Sequence, residues 1–91
     1  MSGATLYEAQ LLKAPSCIPG EGLERHTMVK ATSPQEAAER AAEVWLAHVL
    51  PSDLPEAPAE PLALRVAVLV AGHPHYFEVG AWLRMTVARP L

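Results

Sequence analysis

The chain has 91 residues, 51% of them hydrophobic and 19% charged, with a formal net charge of −3. That apolar content excludes an ordinary disordered chain, and the length provides one small core that buries roughly 60–65% of the unfolded surface. The acidic balance argues against nucleic acid as a partner, because phosphate recognition needs a basic surface, and a single cysteine excludes an internal disulfide framework or a multi-cysteine zinc site.

Thr5–Lys13 is the first predicted strand. Tyr7, Ala9 and Leu11 share one face, with Glu8 and Gln10 on the other. Residues 14–22, APSCIPGEG, hold two prolines and two glycines and read as a loop. A second strand follows over residues 23–31, with Thr27, Val29 and Ala31 on one side and His26, Met28 and Lys30 on the other. The two strands form a wide antiparallel hairpin.

Ser33-Pro34-Gln35-Glu36 is a helix start. Ser33 stands at the N-cap and Pro34 at the first helical position, where its missing N–H costs nothing. Glu36 is placed to reach back to the N-cap amide and close a capping box. The helix is expected to run to Val49 or Leu50, where Pro51 stops it. Ala38, Ala41, Ala42, Trp45 and Val49 form the stripe that meets a sheet, and Glu36, Glu39, Arg40, Glu43 and Ala47 form the opposite, solvated face. Glu43 is spaced to pair with Arg40.

Residues 51–61, PSDLPEAPAEP, carry four prolines and three acids and read as a stiff, exposed connector inside a single domain that spans residues 1–91. Residues 62–71 are almost wholly apolar and read as a central strand, with Leu64, Val66, Val68 and Val70 on one face and Arg65, Ala67 and Leu69 on the other. Residues 72–75, Gly-His-Pro-His, read as a turn. Residues 76–89 then alternate throughout. Phe77, Val79, Ala81, Leu83, Met85 and Val87 point one way; Tyr76, Glu78, Gly80, Trp82, Arg84, Thr86 and Ala88 point the other. The fold expected is β-β-α-β-β, a two-layer α+β domain in which one helix covers one face of a four-stranded antiparallel sheet.

No stretch approaches the roughly 18 apolar residues of a membrane span, and the first ten residues lack the basic and apolar regions of a signal peptide. A cytoplasmic protein with no membrane partner is expected. Sixteen alanines, nine prolines and five arginines suggest a GC-rich, bacterial or phage source.

Chemistry-bearing residues are sparse. His73 and His75 flank Pro74 and face the same way in an extended segment. A metal site would need His26 or Cys17 to complete the three or four ligands of zinc. Solvated turn histidines are the plainer account of the pair. Cys17 has no charged residue within three positions to activate it, so it reads as a small apolar side chain rather than a nucleophile. Gly20 and Gly22 do not complete a dinucleotide motif, so no cofactor is expected. Together these residues argue against an enzyme.

The sheet face turned away from the helix is the more informative surface. It is expected to hold Leu6, Leu12, Met28, Ala67, Leu69, Tyr76, Trp82 and Ala88 among Glu8, Gln10, Lys30, Arg65, Glu78 and Arg84. Met28, Leu69, Tyr76 and Trp82, with Arg65 and Arg84 beside them, match the anatomy of a protein interface. Coverage by Arg and Lys stems and by the terminal segments is the competing account. The unusually long last strand adds an edge able to pair with another chain. The function expected is that of a non-enzymatic interaction module of accessory, inhibitor or adaptor type, acting as a homodimer or on another protein through the outer sheet face or a sheet edge. The alternatives are a small metal- or ligand-binding protein using the loop histidines and a non-catalytic subunit of a larger enzyme.

Overall fold

Alternating apolar residues and short turns fold the chain into five strands and one α-helix in the computed structural model, which describes residues 3–16, 18 and 24–91. The strands are β1 (Thr5–Lys13), β2 (His26–Ala31), β3 (Leu62–Val70), β4 (His73–Trp82) and β5 (Met85–Pro90), and the helix is α1 (Pro34–Leu46). They make one sheet in the order β2-β1-β3-β4-β5, with every neighbouring pair antiparallel. The two-layer α+β architecture is as expected, but the sheet has five strands rather than four.

The extra strand comes from a turn inside residues 76–89. Trp82 pairs with Met85, so Leu83 and Arg84 form a two-residue loop. Arg84 takes a φ of 68°, a left-handed conformation that lets the chain reverse without a glycine. Unbroken alternation hid this turn because a two-residue loop preserves the apolar–polar rhythm while swapping its faces. Ala81 pairs with Thr86 and Val79 with Ala88, so Thr86 and Ala88 face the helix. Met85 and Val87, expected inside, face outward at 44% and 46% exposure. The expected long overhanging strand therefore folds back as a hairpin.

The β3–β4 turn lies at Ala71 and Gly72, with φ of 51° and 81°. Positive φ at both central residues is the hairpin geometry that matches strand twist. His73, Pro74 and His75, expected in the turn, belong to β4. Pro74 is tolerated because backbone bonding to β4 on that side extends no further than the Leu91 amide on the Tyr76 carbonyl, leaving β4 open there at Pro74.

Helix α1 starts as its sequence dictates. The Ser33 hydroxyl accepts from the Glu36 amide at 3.1 Å. The reciprocal bond is displaced by one residue: Glu36 accepts from the Thr32 amide at 3.3 Å and its hydroxyl at 3.1 Å, not from the Ser33 amide. Regular helix ends at Leu46, short of Val49, with the Val49 amide bonded to the Leu46 carbonyl in a tighter last turn. Ala37, Ala38, Ala41 and Ala42 are fully buried. Their small side chains bring the helix close to Leu11, Leu64, Val66, Val68 and Val79 of the sheet. Trp45, 1% exposed, closes this core, and its indole N–H donates to the Glu24 carbonyl at 2.9 Å.

Five strands span about 19 Å between outer strand axes, whereas one helix is about 10 Å wide. Long side chains bridge the difference on the β5 side. The Glu39 carboxylate accepts from the Ala88 amide at 2.9 Å, and the Gln35 amide donates to the Ala88 carbonyl at 2.8 Å. Glu43 accepts from the Thr86 hydroxyl at 3.3 Å. Glu39 and Glu43, expected to be solvated, thus finish the edge of the sheet. Arg40 pairs with Glu36 at 3.0 Å rather than with Glu43.

Residues 51–61 form a single 3-10 turn, Pro51–Asp53, and then cross toward β3 with a cis bond between Ala57 and Pro58.

Candidate interaction surface

The outer face of the sheet is a grid whose rows follow from the strand register. One row runs Met28, Glu8, Leu69, Pro74 from β2 to β4, and the next runs His26, Gln10, Ala67, Tyr76. A charged row crosses below them: Lys13, Arg65, Glu78, Arg89. Arg89 donates to Glu78 at 2.6 Å, and Arg65 stands opposite the same carboxylate's residue. Below this band lie Ala63, Gly80 and Val87, then Trp82 and Met85.

The charged band divides the expected surface in two. Above it, Leu6, Met28 and Tyr76 are 56%, 54% and 50% exposed, and Leu69 is half-buried between them. Isolated exposed apolar residues are ordinary, but these four come from four adjacent strands and occupy three neighbouring rows of the grid. Glu8, Gln10, His26 and Lys30 interrupt and border this patch, with His26 Nδ1 lying 3.8 Å from Glu8.

Trp82 lies below the band, away from Tyr76, and is not free. Its indole N–H donates to the Ala59 carbonyl at 2.6 Å. The next residue, Leu83, donates its amide to the Pro55 carbonyl at 2.7 Å. The connector thereby becomes a partial second layer on the outer face. Gly80 makes this possible, since a Cβ there would come within 3.2 Å of Pro61 and 3.4 Å of the Trp82 ring. An open groove of ≈ 410 Å³ remains beside the strap, lined by Glu60, Pro61, Ala63, Glu78, Gly80, Trp82, Val87 and Arg89.

Of the residues expected on the interface, Leu69 and Tyr76 lie on adjacent strands one row apart, Met28 shares the row of Leu69 with Glu8 between them, and Arg65 borders the group. Trp82 is held by the connector, Arg84 sits in the β4–β5 turn, and Ala88 faces the helix. Sequence reasoning missed Met85, Val87 and Arg89 on this face because it ran the alternation through the turn. It also missed the connector as a covering layer, although a proline segment and an outward tryptophan are natural partners.

His73 and His75 are exposed on the helix side of β4, near its start, whereas His26 is on the outer face of β2, at the opposite edge. The structure does not bring these three together, and Cys17 lies outside the described residues. Among the described residues, no group of three His, Cys, Asp or Glu side chains is placed to hold a metal ion. No helix among them is long and apolar enough to cross a membrane.

Comparison of the chain with protein-family models, curated proteins and solved structures finds no match.

Proposed function

We propose that this chain is a non-enzymatic interaction module whose outer sheet face docks another protein surface, with a second copy of the chain as the first partner. The exposed group Leu6, Met28 and Tyr76, aligned around Leu69, carries this reading. A two-fold contact requires a patch that complements itself. Glu8 and Lys30 supply both signs of charge beside apolar side chains, which supports such a contact. The charged band Lys13–Arg65–Glu78–Arg89 forms its rim, as polar residues do around interface centres.

Sedimentation of the wild type and of Tyr76→Ser across a concentration series tests this. The expected result is a concentration-dependent dimer in the wild type and a folded monomer in the variant, with unchanged circular dichroism. A wild type that stays monomeric at millimolar concentration would overturn the homodimer.

A further inference from the structure

The two edges of the sheet are finished differently. At β5 the outward N–H and C=O of Ala88, in mid-strand, are both occupied, by Glu39 and Gln35 of the helix, while Thr86, the next outward position, meets Glu43 through its hydroxyl. Glu39 and Gln35 stand where a neighbouring strand would otherwise bond. At β2 nothing equivalent exists. The Leu11 amide donates to the Arg25 carbonyl, and the register continues through Ala9–Thr27 and Tyr7–Val29. In an antiparallel ladder this turns the N–H and C=O groups of His26, Met28 and Lys30 away from β1. Among the described residues, none of these six groups has a hydrogen-bond partner.

We propose that the β2 edge binds an extended acidic segment of another protein by strand addition. Backbone bonds to His26, Met28 and Lys30 supply the affinity, and alternate side chains supply the selection. Outer-face residues of the added strand stand beside those three side chains. Lys30 forms no ion pair among the described residues, so an incoming strand gains most from an acid beside Lys30 and an apolar side chain beside Met28. Residues on the other face meet the shallow groove lined by Val29, Lys30, Arg40, Glu43 and Val44. Val44 is 45% exposed there and favours an apolar contact, while Glu43 is turned toward Thr86 and Arg40 toward Glu36.

A second copy fits this edge poorly. Two-fold pairing about Met28 is the one register that uses all three open positions, and it sets Lys30 against His26 of the other copy rather than against an acid. Pairing about Thr27 calls on Glu24, whose carbonyl is already taken by Trp45. Pairing about Val29 leaves His26 opposite Thr32, beside the helix cap.

The test uses the 91-residue chain carrying Tyr76→Ser, so that outer-face association does not enter. The probe is a labelled peptide with the core Glu-Val-Leu-Val-Glu, flanked by Gly and Ser. Anisotropy should show saturable binding, with amide shifts concentrated on His26, Met28 and Lys30. Lys30→Glu should weaken it about tenfold, and a Lys-Val-Leu-Val-Lys core should bind at least as much more weakly. N-methylation of the peptide's bonding amides, which leaves the protein untouched, should abolish binding. Equal binding of the acidic and basic cores, shifts centred away from β2, or no binding at millimolar peptide would each overturn the proposal. Self-association of Tyr76→Ser that a Met28→Pro change abolishes would overturn it in favour of a second copy.

Discussion

The Glu36 carboxylate shows how one side chain sets a local boundary. The Thr32 amide, then the Thr32 hydroxyl, and also the Arg40 guanidinium, hold its carboxyl below the ordinary value of 4.5. A carboxyl lowered by folding stabilises the folded state above its unfolded pKa, and that contribution fades as pH falls through the folded value. The stability difference between wild type and Glu36→Gln should therefore be full at pH 7 and shrink below about pH 4.5. Denaturant titrations at a series of pH values check this, and a constant difference would contradict it. Trp45 acts on a larger scale. Trp45→Ala should cost about 3–5 kcal/mol, because the small alanines that make up most of the buried helix face cannot fill the space left against the sheet. Trp45→Phe should keep most of the packing and lose the bond to Glu24, at about 1 kcal/mol. Chemical denaturation separates the two.

At the scale of elements, the connector and the edge clamp give the sharpest expectations. Gly80 lies under Pro61, so Gly80→Val should lift the strap from the outer face at a cost of about 1–3 kcal/mol. Trp82 would then lose its bond to Ala59, and its fluorescence should become as accessible to quenchers as that of an open tryptophan. Glu39→Ala combined with Gln35→Ala should expose the Ala88 backbone. We expect about 1–3 kcal/mol of destabilisation, faster hydrogen exchange at the Ala88 amide, and a greater tendency to aggregate by light scattering. Unchanged exchange would show that the clamp contributes nothing.

For the whole molecule, local chemistry was legible and long-range geometry was not. Ser33, Pro34 and the alanine stripe announced the helix, and period-2 alternation announced β1 and β3 with their buried faces. Leu83-Arg84 carried no glycine, asparagine or proline, so the last hairpin read as one strand and the faces of Met85, Thr86, Val87 and Ala88 came out reversed. The surface suffered in the same way. Met28, Leu69 and Tyr76 were visible as outward apolar residues, but their alignment depends on strand order, which pairs β1 with β3 across the helix and the connector. Glu39 looked like solvated helix surface because nothing local signals that a strand edge lies beside it.

That strand order has a consequence for how the molecule must assemble. The middle strand of the sheet, β3, arrives after the helix, and its pairing joins Glu8 to Leu69 and Leu11 to Val66. Until β3 inserts, β1, β2 and α1 have no complete layer to pack against, so the native nucleus must include contacts between distant parts of the sequence. Loop-closure entropy precedes the reward from such contacts, placing folding on the millisecond-to-second side of small domains. A fragment ending at residue 50 should show no cooperative thermal transition and should fold only on addition of the complementary fragment, residues 51–91. During synthesis, the first half of this chain would wait on the second, keeping its apolar strand face within reach of chaperones for as long as translation takes to deliver β3.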